Sequence, residues 1–357
     1  MTAGLAIVFV VTLATSLLLT PLARGVGVRL GLVDHPRPGE LQRWPRSRTG
    51  GYGLITAFVL GLLVSLFLVP RSDTEEWYRL TGFVVGLLVV IVVAFFDDRL
   101  RIGPFPQLAG QVLAALLPVP FGLMVADVSN PLGQIVPLPL VVAVPFTVLW
   151  VVGMINTLNW LDTMDGLAGG VALIAALVLL ARTIDLGQYS VAVLPLALVA
   201  ACLGFLPFNF NPARVFMGTS GSMFLGYALA MLAIFGGAKL ATAAMVLGLP
   251  ILDTAFVIIQ RLHAGRSPFH GGDDAHLTHK LFKRGWSVRR IVLTLYAACL
   301  ALGLGALASS GHHKLWIFAG FALALAAATV WLVLRPRPIG EAPRASRREQ
   351  HQPDEAR

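Results

Sequence analysis

Apolar residues in this chain gather in long blocks instead of recurring singly at the period of an amphipathic helix. Eleven such blocks stand out, at approximately 3–22, 51–70, 80–96, 107–126, 139–155, 166–182, 190–206, 220–236, 239–259, 288–309 and 314–334. Runs of roughly 17–25 apolar residues are long enough to cross a bilayer as helix, the form in which a lipid-embedded backbone satisfies its own hydrogen bonds. The pattern predicts an all-α polytopic membrane protein with about 11 transmembrane helices, forming one integral membrane domain over 1–334. The first block has no basic segment before it and no evident cleavage site, so it reads as a retained helix. From Arg335 onward Pro, Arg, Glu and Gln replace the apolar blocks, which predicts a disordered tail over 335–357.

Composition agrees, with 57% hydrophobic and 13% charged residues and a mean hydropathy of +0.79. The net charge of +9 raises the question of nucleic acid, and the placement of the charges answers it. Of the 27 Lys and Arg residues, only Arg71, Arg79, Arg182, Lys239 and Lys314 follow even-numbered blocks; the others follow odd-numbered blocks or lie in the tail. The positive-inside rule then puts the N-terminus outside and the C-terminus in the cytoplasm. The basic surplus reads as topology and contact with anionic lipid, with no nucleic-acid partner. Cys202 and Cys299 both fall inside apolar blocks and imply neither a disulfide framework nor a zinc site.

Polar residues concentrate in the loops assigned to the cytoplasm. Loop 1 carries Asp34 and Pro45-Arg46-Ser47-Arg48-Thr49-Gly50-Gly51, and loop 3 opens with Asp97-Asp98. Adjacent carboxylates repel one another unless a cation or proton intervenes, so this pair points to a divalent metal or a general base, against the plainer reading of a helix end in water. Oxygen ligands favour Mg²⁺, with Mn²⁺ as the alternative. In loop 5, Asn156, Asn159, Asp162 and Asp165 recur every third residue, a spacing that drifts about 60° per step on a helix and spreads them over half a face. Such groups near lipid mark a site by default. Gly166, Gly169 and Gly170 follow, either admitting a ligand or only letting helices pack closely. Loop 7 ends in Phe216-Met217-Gly218-Thr219-Ser220-Gly221-Ser222, where a helix N-terminus can either receive phosphate or simply be capped by a hydroxyl. Loop 9 holds Asp273, Asp274, His276 and His279, a set better suited to phosphate or nucleotide than to metal, since no third nitrogen or sulfur ligand is near. Asp253 reads as a contact between helices and Arg261 as an interfacial anchor.

The order of these motifs resembles the polyprenyl-phosphate N-acetylhexosamine-1-phosphate transferases across roughly residues 1–310. The segment ending Asp165-Gly166-Leu167-Ala168-Gly169-Gly170 and the Phe216-Met217-Gly218 turn carry most of the likeness, and the glucosaminyl-type branch is closer than the pentapeptide branch. The resemblance implies transfer of a sugar-1-phosphate from a UDP-sugar to undecaprenyl phosphate with Mg²⁺ and release of UMP, at the cytoplasmic face of a bacterial plasma membrane. It implies catalytic roles for Asp97, Asp98, Asp162 and Asp165, with Asp97, Asp98 and Asp165 on the metal. Substrate would be held by Arg48, Asn156, Asn159, Ser220, His276 and His279. A homodimer is compatible with this reading.

The chain also departs from the family pattern. Thr219 stands where the family usually has a metal-binding Asp, and Gly39-Glu40 and Gln42 replace an Arg-Lys pair and a His. Gln107 replaces a Lys, and Thr278 leaves the histidine cluster one imidazole short. A second reading follows, a family member that binds lipid phosphate or nucleotide with weakened catalysis. A transporter is the third, disfavoured because the acids gather at one face and no halves repeat.

Overall fold

The computed structural model describes residues 2–34, 45–71, 73–129, 134–235, 240–267, 276–309 and 313–334. Thirteen α-helices are present among them: α1 (Thr2–Arg29), α2 (Gly50–Leu68), α3 (Thr74–Leu100), α4 (Pro104–Leu116), α5 (Leu140–Leu161), α6 (Leu167–Asp185), α7 (Val193–Asn209), α8 (Gly218–Ile234), α9 (Leu240–Val246), α10 (Gly248–His263), α11 (Leu277–Lys283), α12 (Val288–Ala308) and α13 (His313–Leu334). A 3₁₀ helix at Val119–Phe121 and two short antiparallel strand pairs are the other regular elements described. One pairs β1 (Val33–Asp34) with β2 (Arg46–Ser47), the other β3 (Asp127–Ser129) with β4 (Ile135–Pro137).

Each expected apolar block carries helix, although α4 ends midway through the block at 107–126, and the molecule is an all-α membrane protein. The expected eleven crossings are not supported. Among the described residues six helices, α1, α2, α3, α5, α6 and α12, are long and apolar enough to span, and α9 with α10 would add a seventh if the pair, bent by 73°, is one broken span. For three of the missing crossings the shortfall is geometric. At 1.5 Å rise per residue, the 17 residues of α7 or α8 reach about 25 Å and the 13 of α4 about 20 Å, short of a hydrocarbon core of about 30 Å. The sidedness read from the charges is likewise not fixed by the helices themselves, and the tail expected to be disordered lies outside the described residues.

Helix α8 is the axis of the bundle. It is apolar all round its circumference past the first turn, and Ser220 to Ile234 are all buried, as a helix without a polar face must be. It packs against α5, α3 and α2. Helix α1 instead shows two faces. Thr12, Ser16 and Thr20 are buried against α2 and α7, and the Ser16 hydroxyl donates to the Ala201 carbonyl at 2.7 Å. Val10, Leu18 and Leu22 on its other side are 61–66% exposed, the face that lipid covers. Small residues let these helices approach where no water is available to drive them together.

Antiparallel neighbours bring the ends of α1, α3, α5 and α7 and the starts of α2, α4, α6 and α8 to one end of the bundle. The cross-links there are direct: the amides of Gly50 and Gly51 donate to the carbonyls of Phe216 and Met217 at 3.0 and 2.9 Å, and the Phe216 amide donates to the Ser47 carbonyl at 2.8 Å.

Candidate active site

The site is built at that end, around the start of α8. A helix start leaves backbone N–H groups without intrahelical partners, and here a carboxylate from another helix takes them. Asp98 near the end of α3 accepts from the Thr219 amide at 2.9 Å, the Ser220 amide at 3.1 Å, the Ser220 hydroxyl, and the Tyr52 hydroxyl at 3.2 Å. Both oxygens are thereby engaged, with negative charge at the positive end of the helix. Gly218 makes the entry possible. It sits at φ +74°, and a Cβ there would run into the Arg48 carbonyl.

Asp97, the other member of the pair, faces a cleft of about 480 Å³ instead. Asp34, Arg48, Arg101, Gly103, Gln107, Asn159 and Thr219 share its wall. Arg48 and Arg101 also line a smaller adjoining cavity of about 150 Å³ with Tyr52, Asp98 and Arg99. The two arginines thus face both spaces. Arg101 caps the end of α3 in the left-handed region at φ 51°, unusual for a residue with a side chain, and its amide donates to the Asp97 carbonyl at 2.8 Å. A strained arginine at a cleft edge carries its charge into the space where an anion would lie.

Loop 5 divides its polar residues between tasks. Asn159 faces the cleft and accepts from the Ser222 hydroxyl at 2.8 Å. Asn156 lies deeper, donating to Gln111 at 2.6 Å and to the Val152 carbonyl at 2.9 Å. Asp165 accepts from Arg46 at 3.1 Å, the Asn211 amide group at 3.0 Å and the Ala213 N–H at 2.9 Å. It fastens loop 1 to the turn that leads into α8. Arg46 also lies over the Phe216 ring at 5.3 Å. Asp162 follows α5 and makes no such clamp. Burial, followed by the charges of Asp165 and Asp98, pushes its pKa up to about 7, against an opposing pull from Arg48.

The glycines after Asp165 are explained by packing. Gly166 turns at φ +83°, donates to Asn209 at 3.2 Å and accepts from the Tyr296 hydroxyl. A Cβ on Gly170 would occupy the place of that Tyr296 hydroxyl. The pair seats α12 against α6.

His276 is buried, with Nδ1 2.7 Å from an Asp253 oxygen whose partner oxygen accepts from the Leu277 amide at 2.8 Å. A carboxylate so placed fixes the orientation of the ring. Thr278 and Thr163 hydroxyls meet at 3.4 Å, joining α11 to the Asp162 loop. His279 is described on α11, while Gly39-Glu40, Gln42, Asp273 and Asp274 lie outside the described residues. Arg261, expected as an interfacial anchor, is buried with its guanidinium 5.2 Å from the Trp160 ring centre. Burying a guanidinium against an aromatic face replaces the headgroup contact.

Of the residues singled out in the sequence, Arg48, Asp97, Asp98, Asn159, Asp162, Asp165, Thr219 and Ser220 therefore come together. Asn156 lies one helical turn below, and His276 reaches the group through α11. Tyr52 and Arg101 escaped the sequence reading, and Arg46 stood there within the loop 1 segment without a role. Arg101 had a signal, a cation three residues after an acidic pair. Tyr52 had none.

Comparison with known proteins decides the family. The model of glycosyl transferase family 4 matches residues 80–237, from within α3 through α8, a stretch that supplies the cleft residues other than Asp34 and Arg48. A probable undecaprenyl-phosphate N-acetylglucosaminyl 1-phosphate transferase from Bacillus subtilis (strain 168) is 33% identical over 341 residues, covering 92% of this chain and 87% of the relative. The chain belongs to glycosyl transferase family 4. A decaprenyl-phosphate N-acetylglucosaminephosphotransferase of Mycobacterium tuberculosis (strain ATCC 25618 / H37Rv) is 31% identical, covering 80% of this chain and 78% of its own. A phospho-N-acetylmuramoyl-pentapeptide-transferase of Moorella thermoacetica is 37% identical over a shorter stretch, 44% of this chain and 50% of that one. The longer coverage lies with the glucosaminyl relatives, in line with the branch expected from the motifs.

Proposed function

We propose that this family member transfers N-acetylglucosamine-1-phosphate, or a related hexosamine phosphate, from its UDP-sugar to undecaprenyl phosphate. The observation that carries the reading is the cleft itself, where Asp97, Arg48, Arg101, Asn159 and Thr219 meet at one end of a membrane bundle. An oxygen of the lipid phosphate attacks the sugar-bearing phosphorus, a new P–O–P link forms, and the bond to UMP breaks. Asp97 takes the proton of the lipid phosphate if one is present. Arg48 and Arg101 hold the two anionic partners side by side, which lowers their repulsion as charge passes to the leaving UMP. Asn159 and the Thr219 hydroxyl orient phosphate oxygens, and His276, held by Asp253, reaches the diphosphate or sugar.

A magnesium ion fits the donor set only in a particular way. Among the described residues no three acids, histidines or cysteines cluster to enclose a metal. Asp98 and Asp165, two of the expected ligands, already accept several hydrogen bonds each. That leaves Asp97 and Asp162 to hold Mg²⁺ together with substrate phosphate, since this ion commonly takes one or two carboxylates and completes its shell with phosphate and water. Bound there, it would supply charge neutralisation at the transferring phosphoryl group.

The finer topology belongs to the same proposal. The Lys and Arg distribution supports a cleft on the cytoplasmic face of the plasma membrane, where UDP-sugars are made; the short helices α4, α7 and α8, in the shelter of longer neighbours, together with α13 and the bent α9–α10 pair bring the crossings to eleven. Purified protein supplied with UDP-GlcNAc, undecaprenyl phosphate and Mg²⁺ should release UMP, and Asp97→Asn should lose it. No UMP from any common UDP-hexosamine would overturn the reading. Thr219 favours one alternative, a member that still binds nucleotide or lipid phosphate but turns over slowly. In that case Thr219→Asp raises the metal-dependent rate.

A further inference from the structure

The elbow between α11 and α12 is charged in one sense only. From Ala275 to Gly340 the sequence contains no Asp or Glu, while Lys280, Lys283, Arg284, Arg289 and Arg290 crowd between 280 and 290. Lys283, Arg289 and Arg290 are exposed, and so is Arg214 on the loop that Arg289 contacts through the Asn211 carbonyl at 3.0 Å. Arg290 lies 4.0 Å over the half-buried Trp286 ring, and Phe282 is 38% exposed beside them. These residues stand where α12, a helix of spanning length, begins. Aromatic rings beside arginines at the end of a spanning helix lie at headgroup depth.

We propose that the α11–α12 elbow is a binding surface for anionic phospholipid headgroups, contacted by Lys283, Arg290 and Arg214 with Trp286 and Phe282 seated among the acyl ends. Charge complementarity argues for an anionic bilayer, because a zwitterionic one offers these cations no net counter-charge. The consequence reaches the cleft. The same short helix holds Thr278 against Thr163 and follows His276, which Asp253 fixes, so a headgroup contact steadies the arm that carries His276. The inference rests on the membrane-spanning reading and not on the transfer chemistry.

The full chain is reconstituted in nanodiscs of phosphatidylcholine alone or with equimolar phosphatidylglycerol, without polyprenyl phosphate. Retained lipids are counted by native mass spectrometry, and hydrogen exchange is followed over 277–292. Wild type should retain phosphatidylglycerol over phosphatidylcholine and exchange more slowly in the anionic discs. A cation near an anionic surface adds about fivefold to the affinity, so the double variant Lys283→Gln with Arg290→Gln should lose roughly 25-fold of the preference. Arg290→Lys, which keeps the charge and drops the stacked plane, should keep most of it. Should the double variant fail to fold, raising salt on wild type tests the same point, because screening should abolish the preference. A wild type indifferent to headgroup charge, a preference unchanged by salt, or a folded double variant that retains it would each overturn the proposal. A preference that appears only when polyprenyl phosphate is added assigns the patch to the substrate phosphate and equally overturns it.

Discussion

At the scale of single residues, the four acids of the site are chemically alike and structurally unlike. Asp98 accepts from two amides and two hydroxyls, so Asp98→Ala strips the cap from α8 and leaves buried donors without partners. The loss should be about 1–3 kcal/mol or more of stability, read as a lower melting temperature in detergent with activity falling in parallel. Asp97 lines the cleft, so Asp97→Asn should leave melting nearly unchanged while UMP release falls by roughly a hundredfold or more. If the two variants behave alike, this division is wrong. Asp162 gives a pH signature. Its carboxyl is raised from 3.8 to about 7, so the folded chain holds that proton more tightly than the unfolded chain does. Stability is then lost as pH rises through the window between those values, where the folded state binds the extra proton. Metal-free wild type should lose stability across that window while Asp162→Asn does not, and added Mg²⁺ should restore part of the loss. Parallel pH profiles for the two proteins would show that the Asp162 charge is not under strain.

At the scale of elements, the site depends on how closely α2 and α8 cross. A Cβ on Gly51 would lie 2.5 Å from the Gly221 amide nitrogen, backbone that cannot give way. Gly51→Ala should therefore cost about 1–3 kcal/mol and reduce UMP release more than melting, because the shift moves Thr219 and Ser220 away from Asp98. A fully active, fully stable Gly51→Ala would sink this account of the crossing. These contacts also mark how far the sequence could be read. The Gly50-Gly51 and Gly218 positions were visible as motifs, since special backbone leaves a residue-type trace. Asp97 and Asp98 were visible as a pair, yet their separate tasks depend on which faces the start of α8, and adjacency in sequence carries no such information. The Arg46–Asp165 clamp joins positions 119 apart in sequence and Tyr52–Asp98 positions 46 apart, contacts that only the packed bundle creates. Helix length failed for a related reason. Hydropathy marks where a block is apolar, but α4, α7 and α8 end where turns and caps stop them.

At the scale of the whole molecule, the question is which side of the membrane the cleft faces. Charge placement gives a direction that the packing of the helices does not. The protein is well suited to a direct test, because Cys202 and Cys299 are both buried and should resist a membrane-impermeant maleimide. Arg266 is exposed beyond α10, on the side assigned to the cytoplasm, and makes its described contact through its backbone amide. Tyr189 is 42% exposed between α6 and α7, on the opposite side. In intact spheroplasts Tyr189→Cys should label at once, whereas Arg266→Cys should label only after permeabilisation, and wild type should label in neither. The reverse pattern would put the cleft outside, away from the nucleotide sugar pool. Arg48 and Arg101 would then need an anion other than a UDP-sugar, and the proposed reaction would fall with the topology.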